Sequence, residues 1–356
     1  MSSSPPSGPK SAGARAADRP DGDGTEAGTA APADLNEQEA PPPACVMSFN
    51  AADPSGAGGV AGDVATLAAM GAHALPVTCG VLIRDSAEIF DHHELDAEVI
   101  TEQARTVLED ITVSGWKVGF LGSAEGVSAV AEILSDYPEL PLVAYLPNLG
   151  WLDDDAAQTY HEAFRDLILP ATELLVGSHK TLTDFLLPDW DSERPPSARE
   201  LAVAAAERGT RYVLVTGILL PVKGGVKPGA EQYIDNVLAS SQGAISGEKF
   251  EMFDTSFVGA GDTLSAALAA LLASGSELQA AVGEALSFMD QTLDAGFRPG
   301  MGSVVPDRFF WALPPEEGLD PGTGLPLEGQ APAAADTGAE PGPEAKSPKG
   351  PQRRVH

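Results

Sequence analysis

Cysteine is almost missing from this chain: Cys45 and Cys79 are the only two in 356 residues. That excludes a disulfide-stapled framework and suits reduced thiols inside buried strands of a cytosolic protein. Basic residues are scarce as well. Lysine and arginine number 21 against 52 acidic residues, a formal net charge of −31, and a field of that sign repels nucleic acid and anionic membranes. Long apolar runs are lacking: none approaches the roughly 20 residues that span a bilayer, and the N-terminal stretch has no apolar centre of the signal-peptide kind. The expectation is a cytoplasmic protein that acts on small molecules, without nucleic acid or membrane partners.

Proline and aromatic residues are unevenly spread. Residues 1–43 and 314–356 hold 17 of the 30 prolines, are rich in Ser, Ala, Gly, Asp and Glu, and show no apolar periodicity, so both tails are expected to be disordered. The stretch 44–313 has the size of a single α/β domain. It carries a formal charge of −24 once the tails are set aside, so an anionic substrate has to be held by local donors, such as backbone N–H groups and a divalent cation. Trp116, Trp151, Trp190 and Trp311 are scattered and read as packing anchors. The adjacent His92 and His93 would point to opposite faces of a strand, so they cannot share a metal and are expected at the surface or in a lid.

Within 44–313, short β-like runs alternate with helical ones. Ala44–Phe49, Leu75–Val81, Trp116–Leu121, Leu142–Leu146, Glu173–Val176 and Tyr212–Thr216 read as buried strands. Between and after them, Val60–Met70, Ala97–Leu108, Val127–Leu134, Ala156–Leu167, Ala198–Ala206, Leu264–Leu272 and Leu278–Leu293 have helical spacing. This order builds a mostly parallel sheet with helices on both faces, whose ligands sit at the carboxyl ends of the strands. The run 248–254 alternates polar with apolar and predicts a half-buried strand with Phe253 toward the core.

Two glycine loops punctuate that pattern. Val258-Gly259-Ala260-Gly261-Asp262-Thr263 leads straight into an Ala/Leu-rich helix, and Asp53-Pro54-Ser55-Gly56-Ala57-Gly58-Gly59 follows the first strand. Small residues let consecutive N–H groups converge at the positive end of a helix, which makes a phosphate cradle with a carboxylate beside it. Each loop taken singly also fits an ordinary turn with a helix N-cap. Gly56 to Ala61 fits the dinucleotide fingerprint G-x-G-x-x-G/A, with Asp85 as the candidate ribose acid. The preceding Asp-Pro-Ser is ill suited to the tight turn that a fingerprint needs, and that reading leaves the second loop without a role.

The run Asp53-Pro54-Ser55-Gly56, Lys117-Val118-Gly119, Val213 to Gly217, the Gly259–Asp262 loop with Thr263 to Leu268, and Arg298-Pro299-Gly300-Met301-Gly302 together resemble bacterial hydroxymethylpyrimidine/phosphomethylpyrimidine kinases. These thiamine-pathway enzymes belong to the ribokinase-like superfamily, and the likeness covers residues 44 to 311. It implies a ribokinase-like α/β fold, a homodimer, ATP and Mg²⁺, and phosphorylation of 4-amino-5-hydroxymethyl-2-methylpyrimidine and then of its monophosphate. By the same resemblance Asp53, Gly56 and Gly58 line the pyrimidine pocket with Arg84 and Phe120, and Asp63 is the retained acid of the first helix. Gly259, Ala260 and Gly261 match the anion hole, and Thr216, Gly217 and Thr263 fall in the ATP groove. Asp262 stands where the family often has cysteine and the superfamily its catalytic aspartate. A carboxylate of ordinary pKa suffices as base there, because the hydroxyl gives up its proton late in a loose transition state.

The chain departs from that family at several positions. Arg84 replaces a pyrimidine-binding glutamine and can only donate hydrogen bonds, which suits a phosphorylated or acidic ligand. Leu146-Pro147-Asn148 stands for an Asp-Pro strand end, and Ser178 and Thr181 for an Asn-to-Glu pair, so groups that would organise Mg²⁺ are missing. Lys180 or Asp153–Asp155 are the remaining substitutes, the latter also reading as a solvated helix start. Two alternatives follow: a pyridoxal-type kinase of the same superfamily, or a catalytically weakened pyrimidine- or nucleotide-binding protein.

Overall fold

The computed structural model describes residues 42–221 and 232–312; the expectations for both tails lie outside the described residues. Nine strands join in one sheet: β1 (Cys45–Ala52), β2 (His73–Arg84), β3 (Ile89–Glu94), β4 (Gly115–Val118), β5 (Leu142–Tyr145), β6 (Leu174–Ser178), β7 (Tyr212–Leu219), β8 (Tyr233–Ser240) and β9 (Gly243–Glu251). Their order is β3-β2-β1-β4-β5-β6-β7-β8-β9. From β2 through β7 all neighbours pair in parallel, whereas β3, β8 and β9 are antiparallel additions at the two edges.

Among the described residues, eight α-helices connect and cover the strands: α1 (Gly59–Ala69), α2 (Ala97–Leu108), α3 (Ala124–Ser135), α4 (Asp154–Ala163), α5 (His179–Leu186), α6 (Ala198–Ala206), α7 (Ala260–Ala273) and α8 (Leu278–Asp294). Successive strand residues point to opposite faces, so one strand feeds two cores. In β7, Val213 and Val215 enter a core with Ile100, Tyr160, Phe185 and Leu201, while Leu214 enters another with Leu67, Leu268 and Leu286. Helices α2 to α6 thus lie on one face and α1, α7 and α8 on the other, as the alternation predicts. The alanines of α7, four of its nine buried residues, keep that helix short-armed and close to the sheet.

Three elements depart from the sequence expectation: the hairpin strand β3, helix α5 and strand β8. β3 reads Ile-Phe-Asp-His-His-Glu and is mostly exposed, so it lacks the apolar signal of a buried strand. His92 is nonetheless half-buried, stacked edge-on against Phe120 and Trp151 at ring-centroid distances of 5.6 and 5.2 Å. Both cysteines are free thiols, Cys79 buried and Cys45 partly so.

Candidate active site

Loops at the carboxyl ends of β1, β4, β5, β6 and β7 open into a cavity of about 390 Å³, which also meets the segment entering α7. Gly58, Gly59, Asp53, Arg84 and Phe120 line it on one side, and Gly259, Ala260, Gly261 and Asp262 on another. A second cavity of about 210 Å³ lies beyond, walled by apolar groups of Ile234, Phe250, Leu264, Leu286, Met289 and Leu293 with Thr216 and Gly217 at its mouth. Tyr145, Thr216, Ala260 and Gly261 belong to both. The expected cradle is therefore the seam between two compartments.

The seam is built around one carboxylate. Asp262 sits in the first turn of α7. Its Oδ1 accepts from Lys117 Nζ at 2.6 Å and Asn50 Nδ2 at 2.8 Å, and its Oδ2 accepts from the Gly59 N–H at 3.0 Å. Asn50 is itself aimed, because its Oδ1 takes the Phe120 N–H at 3.0 Å and leaves the amide nitrogen facing the acids. Behind Asp262, Lys117 also bridges to Asp63 at 2.9 Å; Lys117 and Asp63 are fully buried, whereas Asp262 keeps 16% of its side chain open to the cavity. Ser48 and Asn50 donate to Asp63 as well.

That arrangement separates the two acids electrostatically. Burial pushes both carboxyls upward, but the Lys117 charge and hydrogen bond, with those from Gly59 and Asn50, hold Asp262 below the ordinary carboxylate range. For Asp63 burial wins, aided by the Asp262 charge, and its pKa is raised. Burial alone would lower Lys117, yet the two acids overcome it and raise the ammonium. Asp262 is thus an ionised, oriented carboxylate at the cavity wall. Sequence reasoning missed Lys117 as a site residue, its signal being a lysine inside the buried four-residue strand Gly-Trp-Lys-Val.

The glycines follow from the close approach of the two loops. Gly259 has φ +85°, and a Cβ there would collide with the Ala57 carbonyl; one on Gly58 would strike the Asp262 carboxylate. The N–H groups of Ala260, Gly261 and Asp262 find no acceptor among the described residues, as expected for the open end of a helix. Arg308, also missed, ties both loops together: it donates to the Ala57 and Gly56 carbonyls and to Thr263 Oγ1.

Several sequence expectations are corrected. Thr263 lines neither cavity; its hydroxyl donates to the Gly259 carbonyl, accepts from Arg308 and is fully buried. Gly56 shapes the turn with φ +71° and offers its carbonyl to Arg308, lining neither cavity. The Asp53 carboxylate serves its own loop, taking hydrogen bonds from Ser55 N–H, Ser55 Oγ and Gly58 N–H at 2.9, 2.6 and 3.0 Å. Phe253 lies past the end of β9 at the wall of the second cavity, not in the core, and Trp151 walls the first cavity against Phe120. Arg84 lines the first cavity with a side chain only 7% exposed, its Nη1 lying 3.4 Å from Asp53 Oδ2.

Mg²⁺ needs several oxygen ligands in near-octahedral array. Among the described residues no group of three His, Cys, Asp or Glu is placed to hold a metal ion. Asp53 and Asp262 are the carboxylates that line the first cavity, and both already accept from several donors; Glu251 and Asp290 line the second. Lys180 pairs with Asp184 in solvent, and Asp153 caps α4 by accepting the Ala156 N–H. The residues present do not form a protein-built Mg²⁺ shell.

A family model described as phosphomethylpyrimidine kinase matches residues 53–307. The hydroxymethylpyrimidine/phosphomethylpyrimidine kinase of Mycobacterium leprae is 28% identical over 75% of this chain and 96% of its own length. The chloroplastic thiamine biosynthetic bifunctional enzyme of Arabidopsis thaliana is 30% identical over 74% of this chain and 50% of its own length. Among solved structures, an ADP complex of Bacillus subtilis pyridoxal kinase superposes with a TM-score of 0.66 at 20% identity, covering 76% of this chain and 99% of that one. The phosphomethylpyrimidine kinase of Clostridium difficile gives 0.54 at 19% identity, covering 69% and 98%. These superpositions show the ribokinase-like fold. The family match runs from Asp53, the acid of the first glycine loop, to Asp307, beside the arginine that ties both loops, and on it the chain belongs to the phosphomethylpyrimidine kinase family.

Proposed function

We propose that this phosphotransferase moves the γ-phosphoryl group of ATP onto the hydroxymethyl oxygen of 4-amino-5-hydroxymethyl-2-methylpyrimidine, and then phosphorylates the resulting monophosphate, in the supply of the thiamine pyrimidine. The observation that carries the reading is the position of Asp262, ionised and held at the seam where the two cavities meet. The acceptor occupies the first cavity, against Phe120 and Trp151, and adenine the second. The triphosphate then crosses the seam beneath the open N–H groups of α7, donors that stabilise the charge on a transferring phosphoryl group. Asp262 takes the acceptor's proton as the new P–O bond forms. Mg²⁺ belongs to this reading only as the ion that travels with ATP, held by phosphate oxygens and water.

A second acceptor deserves a place in the same assay because Arg84 offers the first cavity hydrogen-bond donors alone. An acceptor with an oxygen on that edge, as in pyridoxal, matches it better than one with an amino group. The test supplies ATP with the pyrimidine alcohol, its monophosphate or pyridoxal and follows products by mass spectrometry. Pyrimidine mono- and diphosphate as the favoured products support the proposal. Pyridoxal phosphate formed with a kcat/KM at least about tenfold higher, a difference of about 1.4 kcal/mol in transition-state binding, overturns the assignment of acceptor.

A further inference from the structure

Tyr145 ends β5 at the seam, and its ring lies directly against the Cα of Gly261: a Cβ on that glycine would fall onto the phenol carbon and hydroxyl. The residue lines both cavities. The residue is half-buried, and its hydroxyl makes no hydrogen bond to any described residue, which leaves it free to donate to a group in the cavities it lines. The other groups on this wall are poor in charge: Leu146, Pro147 and Asn148 follow on the same loop, Ser178 ends β6, and Thr216 lies within β7. A phosphoryl group crossing the seam would therefore meet open N–H donors on the α7 side and, on the β5 side, this one unpaired phenol.

We propose that the Tyr145 hydroxyl is a catalytic hydrogen-bond donor to the transferring phosphoryl group, completing with the Ala260, Gly261 and Asp262 N–H groups a donor ring at the seam. This rests on the kinase reading above. In the step, the acceptor oxygen forms a bond to the γ-phosphorus while the bond from that phosphorus to the β,γ-bridging oxygen breaks. ADP leaves with that electron pair, and the acceptor's proton passes to Asp262. Tyr145 keeps its own proton throughout and only donates a hydrogen bond. Burial raises its pKa, the Asp262 charge adding to the effect, so the phenol stays a donor through the neutral range. Gly261 is then required for a reason beyond cradle geometry: any side chain there would displace the donor.

The test compares wild type with Tyr145→Phe, which keeps the ring on Gly261 and removes only the unpaired hydroxyl. Two readouts are used: steady-state kinetics, and calorimetric binding of ADP and of the non-transferable analogue AMP-PCP. Loss of one donor to the transition state predicts a fall in kcat of about 10- to 100-fold, with acceptor KM and ADP affinity within about twofold and AMP-PCP binding weakened further than ADP. A kcat within about twofold of wild type, or ADP and AMP-PCP affinities falling together, overturns the proposal. The binding arm stands apart from the acceptor's identity. If wild type turns over no acceptor tried, the kinase reading fails there, while the ADP to AMP-PCP difference still decides whether Tyr145 meets the third phosphate.

Discussion

Lys117 is fully buried between two carboxylates, and it in turn keeps Asp262 charged and pointed at the cavity. Removing one member of a buried ion pair leaves uncompensated charge. Lys117→Met is therefore expected to lower unfolding free energy by about 3–5 kcal/mol. The sign of its pH dependence follows. In wild type the depressed pKa of Asp262 contributes stability that is present above the ordinary carboxylate pKa near 4 and is lost below it. Without Lys117, burial raises both acids above their unfolded values, so the penalty is fullest at high pH and shrinks as pH falls through those raised values. Thermal midpoints at pH 8 and pH 5 should show the gap between variant and wild type narrowing toward pH 5. A gap that is constant or widens would refute this electrostatic account. The triad was hard to read from sequence because its members lie 54 and 145 residues from Lys117. A lysine is also an ordinary residue until its strand is known to be covered on both faces. Asp262 was legible because the glycines that seat it are its immediate neighbours.

At the scale of elements, α7 and the loop before it do two jobs, closing the second core and presenting the cradle. The helix interior was legible from its apolar run, as were most central strands, whose buried residues are continuous. The edge strand β3 and strand β8 were not, since their pairing depends on a partner strand more than on their own composition. Gly259 is the joint of this assembly. Alanine there has to adopt φ +85° and enter the Ala57 carbonyl, so Gly259→Ala should cost about 1–3 kcal/mol for backbone strain and more for separating the two loops. Urea titration measures the first effect, and a parallel fall in kcat the second. An alanine variant with wild-type stability and turnover would show that the close approach of the two loops is not needed.

Across the whole molecule, a chain of formal charge −31 handles a polyanionic nucleotide. Fixed local donors at a helix end reconcile the two, since they act within a turn of the ligand while the global field is screened over about 10 Å at moderate salt. The sheet orients those donors, because its parallel strands bring five loops to one end, where the two cavities meet. The overall architecture was legible for that reason: α/β alternation and two glycine loops are sequence-local. The allocation of roles among Asp53, Gly56 and Thr263 was not, because each forms hydrogen bonds to partners that only the fold supplies.

Phosphoryl transfer at the seam depends on Asp262 as its base. ADP release by the full chain, wild type against Asp262→Asn, with Mg²⁺, ATP and the hydroxymethylpyrimidine, tests it most directly. Asn keeps the shape and removes the charge. The account predicts acceptor-dependent ADP release in wild type and a kcat lowered by about 10² or more in the variant, the contribution expected of a positioned base. Equal turnover in both proteins would contradict the role of Asp262, and no acceptor-dependent release in either would return the chain to a binding protein.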